Sequence, residues 1–454
     1  MLLRNARIRV PDDPDVRYTE ALYLSWSKRF GEAIVRYDSL LSSQPELDYV
    51  RVARARTLSW SGRLDEAARD FKQIIALPMK DGDAMRDAEV GLAQVTAWRG
   101  DLPAAAARFV ALIANDSTDQ RALLGLSGVR TWQGRPRAAV SLLERAVQRD
   151  SADLEARSML TAARAAARPR GDVDISWSDD SDGDQNAWAV ATQRVFLQEW
   201  VSLSATLGSL RARDAVRNAS RALGELTLTA IGDRTTVSGS LGARSLDAGT
   251  PGLSSRSVLT ARATATLRLP AASSLTVSVA RLPFDEVAGV IARRIDLTTL
   301  DASLDLTPRR GMTVGMSGGT LDFSDANRRE TAVLHVAQHW TDRPWIGAFA
   351  RMTRFDRKSP AYFSPRQFSL FELQGGWEQE LKEWSGSIGG GLGTQRVDPS
   401  KPWQNAYHVE GRFGRRWTNG NAVALSLGIS TSAASSAVGA YRYRTAGLSS
   451  SLAW

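Results

Sequence analysis

Cysteine is absent from the 454 residues. That removes disulfides, thiol nucleophiles, iron–sulfur clusters and cysteine-type zinc sites, and it leaves the redox compartment open. Histidine is nearly absent too: His335, His339 and His408 are the whole complement, which leaves little for metal or triad chemistry. Lysine occurs only at Lys28, Lys72, Lys80, Lys358, Lys382 and Lys401, so the net charge of +9 is carried by arginine. The excess is spread over both halves of the chain, and no nucleic-acid partner is expected. No stretch approaches the roughly 18 to 20 apolar residues of a membrane helix, which excludes a helical membrane protein. A β-barrel is not excluded, because its strands need only about ten alternating residues each. Met1–Val10 contains no apolar core or small-residue cleavage site, so no secretory signal is expected there.

What is present changes character near Arg168-Pro169-Arg170-Gly171. Before it the chain is rich in Ala, Leu, Arg and Glu with a hydrophobic period near 3.6. After it, Ser, Thr, Gly and Val alternate with period two, and such a change of period marks a change of fold class. Two domains are expected: a helical one over 1–168 and an all-β one over 169–454.

The first half repeats. Trp26, Trp60, Trp98 and Trp132 are 34, 38 and 34 residues apart and open the phrases WSKRFGEA, WSGRLDEA, WRGDLPAA and WQGRPRAA. Alanine stands seven positions after each (Ala33, Ala67, Ala105, Ala139), glycine two positions after the last three (Gly62, Gly100, Gly134), and Tyr37, Phe71, Phe109 and Leu143 eleven after. A 34-residue period with a glycine turn and small residues where helices cross is the pattern of a tetratricopeptide-repeat α-solenoid. About four repeats and a capping helix near Asp153–Ala167 are expected, with the loop Pro78–Asp83 absorbing the longer spacing. The four tryptophans are read as packing between stacked helices, and the concave face as a seat for a protein partner.

The second half reads as an antiparallel transmembrane β-barrel of about 16 strands. The clearest segments are Val258–Leu269, Ile295–Leu306, Thr331–Trp340, Tyr407–Arg416, Ala422–Ile429 and Val438–Trp454. In the first, Leu259, Ala261, Ala263, Ala265 and Leu267 alternate with Thr260, Arg262, Thr264, Thr266 and Arg268. A soluble sandwich would alternate as well, but the connections alternate in length. Short turns are expected at Gly232-Asp233, Pro270–Ser273, Pro308–Gly311, Asp342–Pro344, Leu381–Glu383 and Asn419–Asn421, and long loops at Arg213–Ala222, Leu246–Ser257, Pro283–Arg294, Lys358–Arg366 and Val397–Trp403. Tight periplasmic turns and long external loops are the habit of bacterial outer-membrane barrels. The helical half precedes the first strand, which would put it on the short-turn, periplasmic side. Trp177, Trp188, Trp200, Trp340, Trp345, Trp377, Trp384, Trp403 and Trp417 lie mostly near segment ends, where interfacial girdles would hold them. The wet face is expected to line a pore with Arg262, Arg268, Asp301, Asp305, His335, His339, Glu372, Glu378, His408, Glu410 and Arg412. This mixed, hydroxyl-rich wall suits a neutral or weakly charged sugar chain.

Repeats carrying LSW-G-R-EA phrases followed by a barrel resemble the YaiO-type outer-membrane proteins and, more distantly, the porin ends of the cellulose-synthase C subunit and of the poly-N-acetylglucosamine exporter PgaA. Tyr362-Phe363-Ser364-Pro365 with Phe368 is similar to a phrase of the cellulose C-subunit barrel. The resemblance implies a polysaccharide exporter whose helical repeats hold periplasmic synthesis or modification enzymes, or the polymer. The Tyr362–Pro365 loop has three readings: stacking on sugar rings, an inward constriction, or a plain loop anchor.

Other motifs carry less. Gly315-Met316-Ser317-Gly318-Gly319 matches a nucleophile elbow but sits inside a strand segment. Asp179, Asp180, Asp182 and Asp184 resemble part of a calcium loop without its twelfth-position glutamate, and a solvated loop, or bridging to lipopolysaccharide, is the alternative. His335 and His339 fall about 13 Å apart on one strand face, too far to share a metal. Gly389–Gly393 reads as a tightly packed strand. No catalytic residue, metal or cofactor is expected. The expected partners are a polysaccharide chain, a periplasmic protein on the repeats, and outer-membrane lipid with lipopolysaccharide. The rival expectation is a non-conducting barrel that anchors a periplasmic scaffold or serves as a surface receptor.

Overall fold

The computed structural model describes residues 13–76, 82–309, 311–340, 344–417, 419–431 and 442–454. The Met1–Val10 segment, residues 78–81 of the loop before Asp83, residue 310 of one turn, residues 342–343 of another and 438–441 of the last segment lie outside the described residues. The chain divides into two compact units, Met1–Ala163 and Arg164–Trp454.

The first unit is a tetratricopeptide-repeat solenoid. Its helices are α1 (Pro14–Trp26), α2 (Phe30–Ser43), α3 (Asp48–Trp60), α4 (Leu64–Ala76), α5 (Gly82–Trp98), α6 (Leu102–Asn115), α7 (Gln120–Trp132), α8 (Pro136–Arg149) and α9 (Leu154–Ala167). Asp13, Asp101 and Asp119 cap α1, α6 and α7 by accepting backbone N–H groups of the first turn. Between the helices of each pair the chain needs a left-handed residue to reverse: Gly62, Gly100 and Gly134 supply it at φ of 82°, 83° and 79°, and Lys28 takes the same place at 61°. Ala33, Ala67, Ala105 and Ala139 are fully buried at the crossings, with Tyr37, Phe71, Phe109 and Leu143 beside them. Phe71 and Phe109 lie flat against Gly91 and Gly125, which leave no room for a Cβ. Polar contacts join successive repeats: Arg86 pairs with Asp119 at 2.7 Å, and Asp87 receives Arg56 at 3.0 Å and also Arg121.

The four tryptophans correct the expectation. Each is the last residue of the first helix of its pair, and all four are 40% to 66% exposed. Packing is done instead by the alanines and by the aromatic residue of the second helix, because the helix end has already passed its neighbour when the tryptophan is reached.

The second unit is a closed barrel of sixteen strands, each hydrogen-bonded antiparallel to the next in sequence, with β1 closing on β16 from Arg170↔Ala453 to Asp180↔Tyr443. The strands are β1 (Arg170–Asp180), β2 (Gln185–Phe196), β3 (Val201–Arg213), β4 (Asn218–Ile231), β5 (Thr235–Asp247), β6 (Arg256–Leu269), β7 (Ser273–Pro283), β8 (Asp296–Arg309), β9 (Met312–Phe323), β10 (Arg328–His339), β11 (Pro344–Phe355), β12 (Gln367–Leu381), β13 (Trp384–Val397), β14 (Gln404–Arg416), β15 (Ala422–Ser430) and β16 (Tyr443–Ala453). A six-residue helix, α10 (Ala288–Arg293), interrupts the β7–β8 loop. Mid-strand leucines Leu207, Leu241, Leu259, Leu373 and Leu392 are 69% to 82% exposed on the outer face. A continuous belt of that kind suits hydrocarbon and would aggregate in water.

One rim carries tight connections, such as 232–234, 270–272 and 382–383, and the other carries long ones, such as 248–255, 284–295 and 356–366. The alternation is less strict than expected, because the Arg213–Ala222 loop shrinks to a turn over Asp214–Arg217. There Asp214 accepts the amides of Val216 and Arg217 at 2.8 and 2.6 Å, so β4 begins already at Asn218.

Candidate functional site

Alternation and register decide which side chains face the inside of the barrel. Leu259 points out, so Thr260, Arg262, Thr264, Thr266 and Arg268 of β6 point in. Carried through the neighbouring registers, the same parity puts Asp301, Asp305, His335, His339, Glu372, Glu378, His408, Glu410, Arg412 and Arg416 on the inner face. Inward hydroxyls meet across strands: Thr192 with Thr206 at 3.0 Å, Thr227 with Ser240 at 2.8 Å, Thr266 with Thr276 at 3.0 Å, and Thr331 with Thr353 at 3.3 Å.

These residues do not converge on one centre. Arg268 fastens the β4–β5 turn, donating to the Gly232 carbonyl at 3.0 Å. Arg412 donates to Ser449 Oγ at 3.1 Å. Asp301 packs over Gly319. Glu372 is buried and meets His408 Nδ1 at 3.2 Å, with Gln374 donating to it at 3.0 Å. His335 lies on Gly315, while His339 stacks on Trp345 with ring centroids 5.8 Å apart. Among the described residues no three His, Asp or Glu side chains come together to hold a metal ion. The glycines of Gly389–Gly393 sit mid-strand in β13, where Gly391 gives room to His408.

Two of the nine segment-end tryptophans depart from the girdle reading. Ala187 and Ala189 take the outer face of β2, so Trp188 turns inward opposite Leu210. Ile346 takes the outer face of β11, so Trp345 turns inward, and Gly376 and Gly389 leave the space it fills.

The functional geometry that sequence reasoning missed lies at the long-loop rim, where two loops fold back into the mouth. In the first, the 284–295 connection, Asp285 is 4% exposed and sits between two inward arginines, Arg221 of β4 at 3.2 Å and Arg244 of β5 at 2.8 Å. Behind it Ala288 and Ile291 of α10 pack on Leu210, Ala212, Ala219 and Leu246 of the inner wall. The available signal was the apolar run Val287–Ile291 inside a segment that ought to be solvated.

The second loop, 356–366, carries Tyr362. Its ring is stacked on Phe323 at 4.7 Å with the planes 8° apart, and meets Phe284 edge-on at 5.6 Å. Its hydroxyl accepts from Asn327 Nδ2 at 2.9 Å and donates to Asp325 at 3.2 Å, and burial raises its pKa. The ring faces are therefore occupied by this chain, so sugar stacking on Tyr362 is corrected to an inward-folded anchor. Phe363 packs edge-on against Phe368 at 6.4 Å, and Ser364 Oγ accepts the Ser359 amide at 2.6 Å beside buried Pro365. Asp398 holds the loop's far side, bonded by Lys358 at 2.9 Å and the Arg366 amide at 2.7 Å. Burial opposes its charge, but those bonds keep its carboxyl below the usual range. Phe284 of the first loop touches Tyr362 of the second, which makes the two a single cap across part of the mouth.

No protein-family model matches the sequence, and no curated protein is found similar to it. Among solved structures, a bacterial polysaccharide outer membrane secretin is similar with a TM-score of 0.54 at 10% identity, covering 63% of this chain and 99% of that one. A thermophilic tetratricopeptide-repeat protein of Thermus thermophilus matches with a TM-score of 0.32 at 17% identity, over 36% of this chain and 87% of that one. A tetratricopeptide repeat protein from Parabacteroides merdae matches with a TM-score of 0.30 at 14% identity, over 36% and 64%. The fold class is a helical-repeat solenoid followed by a closed antiparallel barrel of sixteen strands.

Proposed function

We propose that this protein is a non-enzymatic outer-membrane channel that exports a polysaccharide, with its helical repeats in the periplasm docking a synthesis or modification partner. The observation that carries the reading is the inner wall: hydroxyl pairs and charges of both signs line a barrel of sixteen strands, a size that encloses an aqueous lumen. Neutral sugar chains pass such a wall by exchanging water hydrogen bonds for hydroxyl ones, with no single charge to trap them. The barrel's likeness in fold to a bacterial polysaccharide outer membrane secretin supports the same cargo class. The chain enters the barrel at the short-turn rim, which agrees with periplasmic repeats. The inturned loops act as a partial gate at the outer mouth.

Planar-bilayer recording of the full chain tests this, with the wild type beside a variant lacking 358–366. A stable conductance that grows on deletion and is blocked by a neutral glycan is expected. The second reading, a plugged barrel anchoring a scaffold or serving as a receptor, is favoured by the cap itself. Silence from both proteins, each showing heat-modifiable barrel migration, would decide for it.

A further inference from the structure

The outer face of the long-loop rim carries a feature that export does not require. β3 ends in Arg211 and Arg213, both exposed, on the same face as the outward Leu207. Neither side chain has a hydrogen-bond or ion-pair partner among the described residues. The registers run Trp177 opposite Ala187, Ala187 opposite Arg211, and Arg211 opposite Ser220. Small residues thus floor the ground beneath Arg211, and Trp177 walls it, forming a shallow recess of about 420 Å³.

The outer face of the long-loop rim carries charges of both signs: Asp179, Asp247, Asp322 and Glu330 point outward, and Asp179 and Asp322 are taken by Arg444 and Arg328. Arg281 and Arg354 also point outward near the long loops. At the opposite rim Arg415 points outward as well, but Glu383 takes its guanidinium at 2.8 Å and it lies over the rings of Trp384 and Trp417. Two free guanidiniums about 7 Å apart along one strand face can both reach one phosphate group, and arginine binds phosphate through paired N–H donors. The recess sits above an apolar belt, so the phosphate would arrive on a lipid whose chains lie along Leu207. Anionic headgroups are drawn to such pairs of unpartnered arginines.

We propose that this recess binds the phosphorylated headgroup of a lipid A molecule, with Arg211 and Arg213 on the phosphate and Trp177 at the level where headgroup meets acyl chain. This rests on the outer-membrane reading above. It does not depend on conduction, because the recess faces away from the lumen.

The full-length protein in detergent, stripped of lipid, is titrated by native mass spectrometry with bisphosphorylated lipid A, phosphate-free lipid A, phosphatidylglycerol and inorganic phosphate. Wild type is compared with R211A/R213A, with R211K/R213K and with R281A. Bisphosphorylated lipid A should bind preferentially, fall roughly tenfold or more in R211A/R213A, fall less in R211K/R213K, and hold in R281A. Heat-modifiable migration checks that each variant is folded. Equal retention by R211A/R213A overturns the assignment, as does preference for phosphatidylglycerol, indifference to the lipid's phosphates, or competition by inorganic phosphate as strong as by lipid A. A silent bilayer with lipid binding intact would count against the export channel alone, whereas a conducting channel with no phosphate-dependent lipid binding would count against this site alone.

Discussion

Arg244 on the wall of β5 and Asp285 in the loop after β7 meet at 2.8 Å across 41 positions of sequence. Arg221 closes on the same carboxylate at 3.2 Å, and all three side chains are largely buried. Removing one member of a buried ion pair costs about 3 to 5 kcal/mol, because the other charge is left without a partner. Asp285→Asn should therefore release α10 from the inner wall. In a planar bilayer the variant is expected to show a larger or more often open conductance than wild type, and unchanged current would remove the tether from the gate.

Tyr362 holds the second loop through its ring and its hydroxyl together. Tyr362→Phe keeps the stack on Phe323 and loses the bonds to Asn327 and Asp325, which should cost about 1 to 3 kcal/mol for the groups left unpaired. Tyr362→Ala should cost more, about 3 to 5 kcal/mol, as a buried aromatic truncation does. Trypsin cleavage after Arg357, Lys358 and Arg366 reads the loop directly, and cleavage should quicken in the order wild type, Phe, Ala.

In the helical unit the sensitive positions are glycines, not tryptophans. Gly91→Ala and Gly125→Ala would drive a methyl group into the rings of Phe71 and Phe109, and overpacking of this kind costs about 1 to 3 kcal/mol. Trp60→Ala and Trp98→Ala remove rings at helix ends that already meet water in the folded state, and should cost less than the glycine changes, about 1 kcal/mol. Thermal unfolding followed by helical circular dichroism ranks the four. A Trp60 variant as unstable as the Gly91 variant would contradict the packing described.

The β1–β2 turn should respond to pH. Burial, with Asp180, Asp214 and Asp182 nearby, pushes the Asp184 carboxyl up from 3.8 to about 6. A raised carboxyl pKa means that the folded state binds the proton more tightly than the unfolded one. Its contribution to stability is thus fully present below about pH 4 and is lost as pH rises through about 6. Asp184→Asn should flatten that slope in unfolding measurements between pH 4 and 7, and an unaltered slope would assign it to another group.

Much of the fold was legible in the residues themselves. A 34-residue period with Gly62, Gly100 and Gly134 at each reversal fixes helix pairs, because those turns need a left-handed residue. The period-two alternation of Leu259 to Arg268 fixes a strand with one apolar and one wet face, and through it the inward side of Arg262, Asp301 and His408. Both patterns are local, so they survive without knowledge of neighbours.

Contacts between distant segments were decided by tertiary structure alone. Trp26, Trp60, Trp98 and Trp132 repeat faithfully, yet periodicity does not say whether a residue stands before or beyond the crossing point of two helices. Trp188 and Trp345 turned inward because alanines or an isoleucine beside them claimed the outer face, and for Trp345 facing glycines left room. The cap at the mouth depends on Asp285 reaching Arg221 and Arg244, and on Tyr362 reaching Phe323 and Asn327. Sequence specifies the residues of such contacts, but only closure of the barrel brings the strands that carry them within reach of the loops.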